Sequence, residues 1–100
     1  CCSLTVDATG SEITTVEGAV STPEFERIER AFLEHAAVQC GFCTPGFVVT
    51  LLYLRRRPGP PPDDDELAGF LSANICRCTG YSSLLDAARQ ILRDETPVAP

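Results

Sequence analysis

The chain has 100 residues, 44% of them apolar, with 14 acidic against 8 basic side chains and a formal net charge of −6. That length allows one small domain with a modest core and excludes two full ones. The acidic balance argues against nucleic acid, whose binders carry a basic face, and no apolar run approaches the ~20 residues needed to span a bilayer. The N-terminus has no basic region followed by an apolar stretch, the mark of a signal peptide. The sequence contains no Met and begins Cys1-Cys2, so it is expected to be a fragment or a processed form. The expected compartment is the cytoplasm, with the periplasm left open by whatever precedes residue 1.

Leu4-Thr5-Val6 and Ile13-Thr14-Thr15-Val16 are short β-branched runs around the turn-forming Ala8-Thr9-Gly10-Ser11, and they read as two strands. Two strands alone are marginal in water, so their sheet is expected to lie mostly before residue 1. A first helix is predicted over residues 22–37, with Thr22 as N-cap, Pro23 at the first helical position and Glu24 and Glu26 at the positive end. Phe25, Ile28, Phe32 and Ala36 form its apolar stripe, widened by Leu33. The single His35 falls near the end of this helix and reads as structural, since a cation is favoured there.

Thr44-Pro45-Gly46 predicts a cap and a first-turn Pro for a second helix, Phe47 to Leu54, whose apolar character on nearly every face predicts burial. It ends at Arg55-Arg56-Arg57, and Pro58-Gly59-Pro60-Pro61-Pro62 cannot continue a helix. The connector from Arg55 to Asp65 is expected on the surface. Asp63-Asp64-Asp65-Glu66 opens a third helix with Leu67, Phe70 and Leu71 on its inner face. The arginine and aspartate runs read as compensation of helix-end charge rather than as a binding patch. A fourth helix follows Cys78, with Leu84, Leu85, Ala88, Ile91 and Leu92 in one stripe. Residues 94–100 read as a tail or linker. The fold expected is mainly α, a small four-helix bundle.

The six cysteines fall in three clusters: Cys1-Cys2, Cys40-x-x-Cys43 and Cys76-x-Cys78. Close-set pairs separated by helical sequence bring four thiolates to one metal centre, whereas disulfide scaffolds spread their cysteines through loops. Cys40-Gly41-Phe42-Cys43-Thr44-Pro45-Gly46-Phe47 and Cys76-Arg77-Cys78-Thr79-Gly80-Tyr81 both run Cys-Thr, Pro or Gly, aromatic, apolar helix. If both pack in one bundle, two loops meet with a helix N-terminus behind each. A 2Fe–2S cluster with four thiolates carries a net negative charge that must be offset when buried. Helix N-termini offer unpaired N–H groups and positive partial charge, and Gly41, Gly46 and Gly80 let the backbone approach. Arg77 is either a further positive charge or an exposed loop residue. Spacing alone leaves three readings open: a structural zinc module with four cysteine ligands that mediates protein contacts, an iron–sulfur centre and, thirdly, disulfides.

Gln39-Cys40-Gly41-Phe42-Cys43-Thr44-Pro45-Gly46 and Asn74-Ile75-Cys76-Arg77-Cys78-Thr79-Gly80-Tyr81 resemble the two signatures of the helical 2Fe–2S domain of molybdenum hydroxylases, the xanthine oxidase, aldehyde oxidase and carbon monoxide dehydrogenase family. Ile13-Thr14-Thr15-Val16-Glu17-Gly18 is similar to the family's join between its two iron–sulfur domains. The resemblance implies that residues 1–20 are the C-terminal remnant of a plant-type, β-rich ferredoxin-like domain and that residues 21–93 are the helical 2Fe–2S-binding domain. It implies Cys40, Cys43, Cys76 and Cys78 as ligands of one 2Fe–2S cluster. Cys1 is implied as a ligand of a second, incomplete cluster, with Cys2 as the fallback. The resemblance also implies a molybdenum–pterin site on a large partner subunit or domain. Electrons would pass from it through this cluster and the second one toward FAD on a further subunit or domain, or toward another acceptor. The resemblance implies Gln39 as a contact to the pterin and Cys78 as the ligand beside it. No catalytic residue is expected on this chain, so enzyme applies to the assembly. The extra Pro and Asp residues in the connector depart from the family pattern.

Overall fold

A computed structural model describes residues 2–93; Cys1 and the expected tail over 94–100 lie outside the described residues. After a short 3-10 helix at Thr5–Ala8 the described residues form five α-helices: α1 (Val16–Ala19), α2 (Pro23–Glu34), α3 (Thr44–Arg56), α4 (Asp64–Ser72) and α5 (Ser82–Arg93). The four longer helices are those expected, and the fold is mainly α. The two expected strands are not formed among the described residues. Leu4-Thr5-Val6 instead curls into the 3-10 turn, closed by the Asp7 N–H on the Leu4 carbonyl at 3.0 Å. Val16 opens α1 rather than ending a strand. Runs this short have no partner ladder within these residues, and in the first of them a local turn satisfies the backbone instead.

The core is one cluster. Ile28, Phe47, Leu51, Leu67, Leu71, Leu84 and Ile91 are its largest fully buried side chains. α5 lies against α2, α3 and α4, and α1 caps α3. The α5 stripe buries Leu84, Ala87, Ala88, Ile91 and Leu92, with Leu85 packed at its edge. α3 is less enclosed than its composition suggests. Phe47, Val48, Leu51, Leu52 and Leu54 are buried, but Val49 and Tyr53, one turn apart, are exposed.

α2 ends earlier than its periodicity predicts. His35 is the C-cap and Ala36 turns to φ +51. The Ala36 N–H then reaches the Leu33 carbonyl and the Ala37 N–H the Phe32 carbonyl, at 3.3 and 2.9 Å. This is a Schellman ending with Ala where Gly is usual. It puts Ala36 outside the helix, leaves Leu33 exposed and buries Ala37 instead. His35 has the structural part expected of it. Its Nε2 lies 2.6 Å from Gln90 Oε1 on α5, and Gln90 Nε2 donates to Glu34 at 2.7 Å.

The charge runs tie helices together. Arg56 of α3 pairs with Glu24 of α2 at 3.1 Å, Arg57 with Glu66 of α4 at 3.0 Å, and Asp64 of α4 with Arg89 and Arg93 of α5 at 3.1 and 3.0 Å. The expectation of simple helix-end compensation is thus met and extended: each run reaches a neighbouring helix. Asp63 caps α4 by accepting the Glu66 N–H at 2.8 Å. Pro58 to Asp65 is surface chain apart from the buried Pro62.

Candidate metal centre

The first cysteine loop is aimed by the end of α2. The Schellman turn redirects the chain at Ala36, and Val38 to Phe42 run without regular structure to Cys43. Gly41 has φ +82, a conformation that costs Gly little. Cys43, not Thr44, is the N-cap of α3, and Thr44 is its first helical residue with Pro45 in the first turn. The Cys43 side chain is therefore held at the positive end of a helix, more directly than the sequence suggests. Thr50 returns its hydroxyl to the Gly46 carbonyl at 2.9 Å.

The second loop, Asn74 to Tyr81, joins α4 to α5 and is closed by side chains. Tyr81 Oη accepts the Cys76 N–H at 3.0 Å and donates to the Asn74 carbonyl at 2.8 Å. Tyr81 N–H donates to Thr79 Oγ1 at 3.2 Å, and Thr79 Oγ1 lies 3.1 Å from Cys76 Sγ. Tyr81 itself has φ +70, and its ring meets Phe47 edge-on at 6.3 Å. Asn74 spans to α3: its Nδ2 donates to Thr50 Oγ1 at 3.2 Å, and its carboxamide lies over Gly46, where a Cβ would come within 3.2 Å of Asn74 Cγ and collide with Oδ1.

These contacts bring the Cys43 and Cys76 side chains together, with Cys40 close enough to act on Cys43 electrostatically. Cys43 is half-buried and Cys76 is 9% exposed, whereas Cys40 and Cys78 are exposed. The Thr79 hydroxyl and N–H, and then the Cys78 N–H, bring the Cys76 thiol down to about 7. Burial, reinforced by the neighbouring Cys76 and Cys40, pushes the Cys43 thiol up to about 11. Cys76 thus ionises first, and a second thiolate beside it is unfavourable without a positive centre to share.

No two described cysteines are joined in a disulfide. Among the described residues, no three Cys, His, Asp or Glu side chains are gathered closely enough for a single metal ion. A 2Fe–2S core divides its four thiolates between two irons. The donor set suits such a group. One sulfur receives N–H and O–H donors, a second sits at a helix N-terminus beside it, and two further thiols stand at the surface of the same loops.

Gln39 is exposed next to Cys40, Cys2 is exposed, and Arg77 is exposed between Cys76 and Cys78. Arg77 thus takes the solvent-facing alternative. The loops also expose apolar surface that the helical pattern does not signal. Phe42, at 93%, and Ile75, at 85%, are the most exposed large apolar side chains described, one in each cysteine loop. A charge count along the chain does mark this region. Within 36–54 and 67–85, the stretches that build both loops, Arg77 is the only charged side chain. Asn74 and Tyr81 belong to the same second string, but no spacing signals their hydrogen bonds to the loop.

The family model of the 2Fe–2S binding domain matches residues 15–89. The chain is 40% identical over 94 residues to a probable xanthine dehydrogenase subunit of Bacillus subtilis (strain 168), covering 94% of this chain and 53% of that protein. It is 42% identical over 89 residues to the nicotinate dehydrogenase small FeS subunit of Eubacterium barkeri, covering 89% and 56%. To aldehyde oxidase 1 of Cavia porcellus it is 44% identical over 85 residues, covering 80% of this chain and 6% of that protein. The chain thus spans about half the length of the first two relatives.

Proposed function

The chain belongs to the 2Fe–2S binding domain family, and on that footing we propose that Cys40, Cys43, Cys76 and Cys78 hold one 2Fe–2S cluster in an electron-transfer subunit or domain of a molybdenum hydroxylase. The observation that carries the reading is the meeting of Cys43 at the head of α3 with Cys76 in its cage of donors, inside the matched span. The cluster, when bound, supplies one-electron storage. This chain supplies the thiolates, the helix N-terminus behind Cys43 and the donors that offset negative charge on Cys76.

The relatives named as xanthine dehydrogenase, nicotinate dehydrogenase and aldehyde oxidase proteins support an assembly in which another subunit or domain carries a molybdenum–pterin site. In this reading electrons arrive through the exposed Cys40–Cys78 side of the loops, with Gln39 against the pterin. They leave toward a second 2Fe–2S cluster and FAD. The surface there suits a protein partner. Interface centres are depleted of charge and enriched in aromatic residues and Arg, and the two cysteine loops expose Phe42, Ile75 and Arg77. Residues 1–20 are proposed as the end of a ferredoxin-like domain.

The test is to purify the protein anaerobically, assay iron, acid-labile sulfide and zinc, and record visible and EPR spectra. Two irons and two sulfides per chain, visible absorption bleached by dithionite and an S = 1/2 signal on reduction are expected. Colourless protein holding zinc would overturn the reading in favour of a structural zinc module with four cysteine ligands.

A further inference from the structure

We propose that Tyr81 is a positioning residue for the metal centre, acting on Cys76 through two separate hydrogen-bonded paths; the inference rests on the cluster reading above. The first path is direct. Tyr81 Oη accepts the Cys76 N–H at 3.0 Å and donates its own O–H to the Asn74 carbonyl at 2.8 Å. That fixes the backbone on which the sulfur is mounted and keeps the Cys76 N–H pointed at oxygen, away from sulfur. The second path runs through Thr79. The Tyr81 N–H donates to Thr79 Oγ1 at 3.2 Å, and that oxygen lies 3.1 Å from Cys76 Sγ. A hydroxyl that accepts from Tyr81 has its own proton free for the sulfur. A metal-bound thiolate carries no proton, so Thr79 is then the donor.

The backbone of Tyr81 favours a purpose beyond packing. Its φ of +70 is a conformation that residues with a side chain rarely adopt. It is held there by these three hydrogen bonds and by the edge-on contact with Phe47 in the first turns of α3. Asn74 completes the brace: its carbonyl receives the Tyr81 hydroxyl, while its side chain reaches Thr50 of α3. The hydroxyl of Tyr81 therefore sets how the second cysteine loop faces Cys43.

The test uses Tyr81→Phe, which removes the oxygen and keeps the ring. The variant is expected to retain helical circular dichroism and near-normal iron and sulfide. It should show altered EPR g-values, several-fold faster cluster loss to a chelator and a raised midpoint potential. The freed Cys76 N–H can then turn to sulfur, which stabilises the more anionic reduced state. A g-tensor, loss rate and potential equal to those of the unaltered protein, or a lowered potential, overturns the proposal. Phe47→Leu separates packing from positioning. It should lower thermal stability and leave the g-values unchanged; if it reproduces the spectrum of Tyr81→Phe, the ring and not the hydroxyl is responsible and the proposal falls. Should Tyr81→Phe fail to fold, Thr79→Val tests the second path alone, and an unchanged g-tensor in it overturns the proposal. Zinc in place of iron and sulfide in the unaltered protein would overturn the cluster reading and this inference together, whereas an unperturbed Tyr81→Phe overturns this inference only.

Discussion

Asn74 fills the space that a side chain at Gly46 would need: the Asn74 carboxamide closes over the first turn of α3, and a Cβ at Gly46 would collide with it. Gly46→Ala is therefore expected to displace Asn74 from Thr50, loosening the second cysteine loop from the first. Overpacking of this kind costs about 1–3 kcal/mol, and the variant should lose iron faster as well as melt earlier. Gly69, inside α4, is the contrast, because a Cβ there meets nothing within 4 Å. Gly69→Ala should stabilise by about 1 kcal/mol from helix propensity alone. Thermal melts of the two variants check this; a Gly46→Ala protein as stable as the parent would mean that Asn74 moves aside without cost.

The ligand set makes a sharper prediction. Cys40→Ser or Cys76→Ser should abolish cluster assembly, because each leaves an iron short of a sulfur, whereas Cys2→Ser should leave iron and sulfide unchanged. Cys2 is exposed and belongs to neither paired string in the sequence. Iron analysis and visible spectra decide, and an equal loss from Cys2→Ser would mean that the ligands are wrongly assigned.

Ala36 offers a test of the fold that should not touch the site. It occupies the left-handed C′ position of α2 at φ +51, where Gly is the usual residue. A side chain in that conformation costs roughly 1–2 kcal/mol, partly balanced by the extra freedom Gly brings to the unfolded chain. Ala36→Gly should therefore raise stability by about 0.5–1 kcal/mol with an unchanged visible spectrum. A lowered melting temperature would show that the Schellman turn is not under strain.

Acid should loosen the helix pairs. The Arg56 guanidinium holds the Glu24 carboxyl below its ordinary range, and Arg89, with Arg93, does the same for Asp64. For a carboxylate with a depressed folded-state pKa, the unfolded chain takes up the proton first. The stability from these pairs is thus complete above about pH 4–5, the ordinary carboxylate range, and is lost as pH falls through the depressed values. Both pairs are substantially exposed, so the Glu24–Arg56 pair is worth only ~0.2–1 kcal/mol and weakens with salt. Arg56→Gln should lower stability near neutrality and flatten its dependence between about pH 5 and 3. An unchanged acid profile in that variant would remove the pair from the account.

The parts legible in the sequence are those written in local pattern. Four helices follow from period and punctuation: Pro23 after Thr22, the arginine run before Pro58, Asp63 ahead of Leu67, and the Leu84–Leu92 stripe. The cysteine pairs have the spacing expected of metal ligands, but spacing does not name the metal, because four thiolates suit zinc and iron alike. What escapes is tertiary. Periodicity overruns the end of α2 because Ala36 carries no Gly signal for its left-handed turn. It also puts Leu33 in the core, because the helical stripe does not say how far a neighbour extends. Residues 4–16 have β-branched composition but no partner strand among the described residues; Thr5–Ala8 form a 3-10 turn and residues 11–15 run without regular structure. The Asn74–Gly46 contact joins the second cysteine loop to the first turn of α3, and no window along the chain contains both.

Electron entry gives the prediction that tests the assembly. Gln39 is exposed beside Cys40, and Phe42 stands almost fully in solvent between Cys40 and Cys43. Neither contributes to the core, so changing either should leave the cluster spectrum and the melting temperature nearly as they were. If this face meets the molybdenum-bearing partner, Phe42→Asp replaces an apolar contact with a charge whose desolvation is costly. It should weaken the complex by about tenfold or more. Gln39→Ala should act differently: the complex still forms, but reduction of the cluster by substrate through the partner slows, because a contact beside the donor is lost rather than the interface as a whole. Titration of complex formation and stopped-flow bleaching of the visible band separate the two effects. Normal assembly and normal reduction in both variants would move electron entry to another face of the domain. Slowed reduction by dithionite as well would instead mean that the substitutions disturb the cluster itself.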